Sequence, residues 1–195
     1  MANKIKYGLS NVYYAKATIG SNNTATYGTP VAIPGAVSLS LDAQGEQTIF
    51  YADNIAYWTG GGNDGYQGGL EIALVPNSFK KDILGMYEDN KHVLVEDQDA
   101  PVVHFALLFQ FEGDAKATRH VLYNCTVTRP SVAGATKEES VTPQTESMTI
   151  TAKSIYNATL QKNIIKSSTT ENVVTSEYTA WNSAVYSPSA TAAST

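Results

Sequence analysis

Apolar and polar residues alternate with a period of two along several stretches of the chain, the pattern of a strand with one buried face. In residues 36–42, Val37, Leu39 and Leu41 alternate with Ser38, Ser40 and Asp42. In residues 68–75, Leu70, Ile72 and Leu74 alternate with Glu71 and Ala73, and in residues 146–152, Met148, Ile150 and Ala152 alternate with Ser147, Thr149 and Thr151. Between residues 102 and 111 the odd positions Val103, Phe105, Leu107, Phe109 and Phe111 form one apolar face; in residues 119–129, Val121, Tyr123, Cys125 and Val127 do likewise. Glu112-Gly113-Asp114-Ala115 lies between these runs with turn chemistry, which predicts an antiparallel hairpin. Tyr7 to Lys16 and Gln47 to Tyr51 are further strand candidates with less regular alternation. One helix is predicted after Pro76, with Asn77 or Ser78 as cap and an apolar stripe of Phe79, Ile83, Met86 and Tyr87 laid across the sheets. Glycine and proline clusters mark loops at residues 20–35, 60–69 and 130–144. The sum is a mainly β fold, an antiparallel β-sandwich or barrel-like domain with one flanking α-helix. Sheets of this kind have edges, and edges invite pairing with another chain.

The length of 195 residues fits one domain with an added arm. The β domain is expected over residues 1–152 and a C-terminal Ser/Thr-rich arm or tail over residues 153–195. Of the last 29 residues 13 are Ser or Thr, and the only aromatics there are Tyr178, Trp181 and Tyr186. Such a segment cannot close a core alone, so it is either a disordered tail or an arm that docks on something. Charged residues are only 16% of the chain, so much of the surface is polar without being charged. No apolar run is long enough for a membrane span, and the start lacks the apolar stretch of a secretory signal, which predicts synthesis and assembly in a cytoplasm.

The net charge of -5 argues against a partner gripped through phosphates. It is unevenly spread: residues 1–41 carry +3, residues 42–114 carry -10 and residues 115–195 carry +2. An acidic middle between basic ends is either a solvated face or a surface that meets the basic part of a neighbouring copy, since complementary fields fix register.

Catalytic and metal chemistry find little support. A single cysteine, Cys125, forms no internal disulfide and supplies no thiolate pair for zinc; on the apolar side of its strand it reads as a core residue. A hairpin loop centred on Asp114 pairs positions whose numbers sum to 228, so that Leu107 faces Val121, His104 faces Asn124 and His120 faces Leu108. His104 and His120 then lie about 13 Å apart at a rise of ~3.3 Å per residue, too far to share a metal. Gly60-Gly61-Gly62-Asn63-Asp64-Gly65 satisfies G-x-G-x-x-G but leads into a strand, not a helix, so it reads as a surface loop. The acidic cluster Glu96, Asp97 and Asp99 reads as a solvated loop, and the three Asn-x-Thr sites at Asn22-Asn23-Thr24, Asn124 and Asn157 carry no weight without a secretion signal. Tyrosine is the informative residue: 12 tyrosines stand against five phenylalanines and two tryptophans. Tyrosine is enriched where surfaces meet partners, and the pairs Tyr13-Tyr14, Phe50-Tyr51 and Tyr57-Trp58 are of this kind.

Five segments in order carry a resemblance: Tyr7-Gly8-Leu9-Ser10-Asn11-Val12-Tyr13-Tyr14-Ala15, Phe50-Tyr51-Ala52-Asp53-Asn54, Gly68-Gly69-Leu70-Glu71, Asp82-Ile83-Leu84-Gly85, and Tyr123-Asn124-Cys125-Thr126-Val127-Thr128-Arg129-Pro130. Together, over roughly residues 1–152, the chain resembles the major tail protein family of long-tailed, non-contractile bacteriophages of Gram-positive hosts. The resemblance implies a structural tail tube protein of the virion, self-assembling into stacked, hexameric rings that form the conduit for genome ejection. It implies no catalytic residue, cofactor or metal. The implied partners are further copies of itself, the tail initiator or baseplate, tape measure and tail terminator proteins, and DNA in transient, non-specific passage; no membrane is involved.

Within this reading, ring stacking is expected on residues 43–66 and their flanks, with Tyr51, Asp53, Tyr57, Trp58, Asp64 and Tyr66 as contacts, and with Lys4 and Lys6 meeting the acidic middle of an adjacent copy. The hairpin strands are expected to face the lumen through His104, Gln110, His120, Asn124 and Thr126. The competing readings are a carbohydrate-binding β-sandwich module, stacking sugars on Tyr57, Trp58 and Tyr66, and an enzyme centred on Asp97 and Asp99.

Overall fold

The computed structural model describes residues 3–136 and 143–189. In chain order the strands are β1 (Lys6–Ile19), β2 (Ala25–Tyr27), β3 (Val31–Ala32), β4 (Ala36–Gln44), β5 (Gln47–Ala52), β6 (Ile55–Gly61) and β7 (Gly65–Ile72). Helix α1 (Asn77–Asp82) precedes β8 (Tyr87–Glu88), β9 (Leu94–Val95), β10 (His104–Gly113), β11 (Thr118–Val127) and β12 (Glu146–Lys153). Then follow β13 (Ile155–Asn157), β14 (Lys162–Ile164), β15 (Lys166–Ser168) and α2 (Thr175–Ala180). One sheet holds β2, β1, β10, β11, β12, β7 and β4 side by side, with β3 also paired to β1 and β15 to β11. The fold is mainly β and antiparallel, as the alternation predicts. The sheet curls far enough for Leu39 and Leu41 of β4 to share a core with Val12 and Tyr14 of β1, yet it does not close: among the described residues β4 pairs only with β7.

The main core lies on the concave face. Phe105, Leu107, Phe109, Leu122, Met148, Ile150, Leu70 and Ile72 fill it, each at most 5% exposed. Helix α1 caps it with Phe79, whose ring sits edge-on between Tyr14 (5.1 Å) and Phe105 (5.7 Å). The Tyr14 hydroxyl donates to Asp82 Oδ2 at 2.7 Å, and burial pushes its pKa up to about 12. The expected helix is shorter than its apolar stripe. Its N-cap is Pro76, without a side-chain cap, and it ends at Asp82. Gly85 then takes φ +71°, the left-handed region that glycine enters without penalty, and the Met86 amide turns back to the Lys80 carbonyl. Tyr87 accordingly leaves the stripe for β8 and is 55% exposed.

Two alternations stop early. A register irregularity between Ala36 and Ser38 turns Val37 outward, and β7 ends at Ile72, which leaves Leu74 on the surface. The segment expected as a loop at residues 60–69 is mostly strand, shared by β6 and β7, and the expected loop at residues 20–35 contains β2 and β3. Residues 130–136 carry no regular structure; 137–142, the rest of the expected loop apart from Pro143 and Gln144, lie outside the described residues.

The hairpin β10–β11 forms with a register one residue away from that expected. Leu107 faces Leu122, Leu108 faces Val121 and Phe109 faces His120, because the turn centres between Asp114 and Ala115. Side chains alternate along a strand, so a slip of one residue exchanges faces. Leu122, not Val121, therefore joins Leu107 in the main core, and an irregularity between Phe105 and Leu107 brings Cys125 back to the same side. Cys125 is fully buried and its thiol is pushed up to about 12 by that burial, the state of an inert core residue.

Val121 and Tyr123 instead face a second core on the convex side with Ala106, Leu108 and Ala15. The C-terminal segment supplies its cover: Ile155 and Trp181 are 3% and 4% exposed, Trp181 stacks on Tyr186 at 5.1 Å, and β15 pairs with β11. From this segment Ile155, Ile164, Trp181, Val185 and Tyr186 pack on the convex core; residues 190–195 lie outside the described residues. Helix α2 is an element that the sequence pattern did not predict. The signal was nonetheless present: Ala106 and Leu108 are apolar between Phe105, Leu107 and Phe109, so β10 reads as a strand buried on both faces and requires a second cover.

Candidate assembly surfaces

Strands β5 and β6 form a two-stranded sheet of their own. The ribbon grows from the edge pair β4–β7: beyond the Gln44–Gly65 pair, Asp64 N–H donates to the Gln44 carbonyl (2.9 Å) and Gly62 N–H to the Glu46 carbonyl (3.4 Å), and the ladder resumes at Gln47–Gly61. Gly45 makes the bend possible. It sits at φ +139°, and a Cβ there would run into the Gly62 carbonyl oxygen. At the tip, Asp53 and Asn54 have φ of +50° and +60° between the paired Ala52 and Ile55, the conformation of a two-residue type I′ hairpin turn.

This arm inverts the usual partition of residues. Phe50, Tyr51, Tyr57 and Trp58 are 59%, 64%, 68% and 56% exposed, and Ile49 and Ile55 lie open beside them. Phe50 pairs directly with Trp58, and the indole lies over Gly60, where a Cβ would meet its ring. Contiguous apolar surface of this kind marks an interaction site, and an isolated two-stranded ribbon is marginal in water. Across residues 42–66 the chain has four carboxylates, Asp42, Glu46, Asp53 and Asp64, and no Lys or Arg.

The expected stacking residues thus divide. Tyr51, Asp53, Tyr57 and Trp58 share the arm; Asp64 is at its base, where its carbonyl accepts from Lys153 Nζ at 3.1 Å. Tyr66 belongs to β7, half-buried, with Lys166 Nζ 4.7 Å from its ring centroid. Tyr57 and Trp58 lie on β6 and Tyr66 on β7. Lys4 and Lys6 begin the chain's path along β10: the Lys4 amide donates to Asp114 Oδ1 at 2.8 Å, and Lys6 Nζ lies 4.9 Å from the Phe111 ring centroid. Their side chains are exposed.

Of the five residues expected on one lumen face, His120 is carried to the other face by the register change. His104 Nδ1 and Asn124 Oδ1 do meet, at 2.7 Å, and Thr126 is half-buried on the same strand as Asn124. Gln110 is 6% exposed and Asn124 8%. Gln110 donates to Glu112 and accepts from Arg119 Nε at 2.9 Å; Arg119 in turn lies 4.0 Å from the Tyr178 ring centroid and donates to the Tyr178 carbonyl. His120 points to the concave face instead, stacked on Phe109 at 5.0 Å. Its Nδ1 is buried without a hydrogen-bond partner, and burial, followed by Lys166 and Lys6, lowers its pKa to about 4.

His120 stands at the open mouth of the curled sheet. A cleft of about 430 Å³ lies here between β4 and the β10–β11 hairpin, lined by Leu39, Leu41, Phe109, Phe111 and Leu122 and flanked by Lys6 and Lys166. No pattern along the chain foretold it, because residues from β1, β4, β7, β10, β11 and β15 meet only through the curl. A second cavity, about 440 Å³, lies over the convex core beside Tyr27, Tyr123 and Tyr186. The acidic loop is held otherwise: the Asp99 amide donates to Asp97 Oδ1, while Arg129 pairs with Glu96 at 2.9 Å and donates to the Asp97 carbonyl. Among the described residues no group of three or more His, Cys, Asp or Glu is placed to hold a metal ion, and no helix is long and apolar enough to cross a membrane.

Fold and surface together define an antiparallel β protein whose most distinctive feature is an exposed, acidic and aromatic hairpin arm at the edge of an unclosed sheet. The family model for phage tail tube proteins matches residues 39–187, and the chain belongs to that family of structural tail proteins. The match begins in β4, takes in the whole arm and continues past residue 152 through β13, β14, β15 and α2. No curated protein sequence matches the chain.

Proposed function

We propose that this protein self-assembles into stacked rings, hexameric as the family resemblance implies, whose bore conducts the phage genome during ejection. The observation that supports this most directly is the arm: six large apolar side chains stand in water on a ribbon that, among the described residues, has no partner strand beyond itself. The unpaired outer edge of β4 adds a second valence, since ring closure through sheet edges removes exposed backbone donors and acceptors. A side-by-side contact that closes and an end-on contact that repeats generate a tube.

In this reading the arm residues Tyr51, Asp53, Tyr57 and Trp58 contact the next ring, with Asp64 and Tyr66 at its root and Lys4 and Lys6 on a neighbouring copy. The lumen assignment narrows to His104 and Thr126, which keep some exposure, because Gln110 and Asn124 are buried and His120 lies on the other face. Net acidity keeps such a bore from gripping DNA. The tail initiator, tape measure and terminator are the expected partners, the phage tail is the expected location, and assembly takes place in the host cytoplasm. A Gram-positive host is what the resemblance implies. Negative-stain microscopy of concentrated protein with tail initiator components tests the reading: tubes of uniform width are expected, and dispersed monomers under those conditions refute it.

A further inference from the structure

We propose that the cleft flanked by Lys6 and Lys166 is the receptor for the tip of the β5–β6 arm of a second copy of this chain. The proposal rests on the self-assembly reading for the identity of its partner. The two surfaces are complementary in both of their properties. The cleft has aliphatic and aromatic walls with two ammonium groups at its rim, and the arm, residues 47–61, offers exposed aromatic side chains with the Asp53 carboxylate at its tip and not one base. Both lysines face the cleft, Lys6 Nζ 4.9 Å from the Phe111 ring centroid and Lys166 Nζ 4.7 Å from that of Tyr66, and among the described residues neither is held in an ion pair. Apolar contact with a positive rim selects an acidic, aromatic guest, and repels the basic segments of this same protein.

Shape and connectivity agree. The two-residue turn at Asp53-Asn54 makes the tip as narrow as a hairpin permits, with Tyr51 one residue behind it. A volume of about 430 Å³ lies in the range of ligand-sized pockets and admits an aromatic side chain. The arm does not fold back on its own cleft, since its four aromatic residues are all more than half exposed. Donor and receptor are different surfaces of one chain, so each copy gives one contact and receives another. A heterologous contact of that kind extends from copy to copy, which is what an end-on repeat requires.

The test uses two full-length variants, Ala52→Cys on the arm beside its turn and Thr118→Cys on the cleft wall, mixed under mild oxidation with tail initiator components. The buried thiol of Cys125 does not compete. A mixed disulfide-linked dimer is expected to form at least tenfold faster than either variant links to itself. Adding Lys166→Glu to the cleft variant is expected to slow this at least fivefold at low salt, and adding Asp53→Lys to the arm variant to recover it. Tubes that form without the cross-link, or a charge swap that fails to recover it, overturn the receptor and leave the tube reading standing. A cross-link without tubes supports the receptor and counts against the tube reading, and the absence of both overturns the two together.

Discussion

Replacing Phe50, Tyr51, Tyr57 and Trp58 together by threonine is expected to leave the fold intact and abolish assembly. Threonine keeps the β preference of the ribbon while removing the rings. Aromatic side chains bury roughly 150–250 Å² when fully covered. At the observed exposures of 56–68%, the four rings present about 500 Å² to water. Covering that area is worth about 12 kcal/mol gross per copy at ~25 cal/mol per Å², a large share of what association costs in lost freedom and side-chain ordering. In the isolated chain the same rings are already solvated, so the change in folding free energy stays within about 1 kcal/mol. The measurements are the thermal midpoint of dilute protein and the pelletable fraction of concentrated protein with initiator components. A midpoint lowered by more than about 4 °C, or tubes formed as readily as by the wild type, refutes the argument that this surface is reserved for another molecule.

Phe79→Ala removes the ring that joins Tyr14 to Phe105 beneath α1 and is expected to cost about 3–5 kcal/mol in denaturant unfolding. Trp181→Ala uncovers the convex core at Val121 and Tyr123 and is expected to cost a similar amount, about 3–5 kcal/mol; a loss below about 1 kcal/mol shows that the C-terminal segment contributes nothing to the fold. Gly45→Ala places a methyl group against the Gly62 carbonyl at a left-handed φ, so protease cleavage within residues 45–62 is expected to accelerate while the midpoint of the main sheet is kept. His120 has a folded pKa of about 4 against 6.5 unfolded, so the unfolded chain binds the extra proton between these values. Stability from this residue is complete above pH 6.5 and lost as pH falls toward 4; with the ring partly exposed the loss is about 1–2 kcal/mol. His120→Gln is expected to flatten that slope, and an unchanged slope places the acid sensitivity elsewhere.

Much of the β character was legible residue by residue. The alternation of Met148, Ile150 and Ala152, and of Phe105, Leu107 and Phe109, names the concave core because burial on one side of a pleated strand leaves a period of two whatever the strand pairs with. Phe50, Tyr51, Tyr57 and Trp58 stood out as aromatics of a kind enriched at contact surfaces, and the structure leaves all four more than half exposed on one ribbon. Register was not legible. Where Glu112 to Ala117 turn is decided by which pairing packs best against β1, β12 and α1, and a shift of one residue sent Val121, Tyr123 and His120 to faces other than those expected. The cover over the convex core was hidden in a Ser/Thr-rich stretch because only Ile155, Trp181 and a few neighbours anchor it. The cleft between Lys6 and Lys166 arises from six strands brought together by curl. Local periodicity thus determined which segments are strands and which faces are apolar, since those depend on each residue and its near neighbours. The meeting of distant segments, and with it the receptor cleft and the second core, was decided by the twist and incomplete closure of the sheet, which no short window of sequence contains.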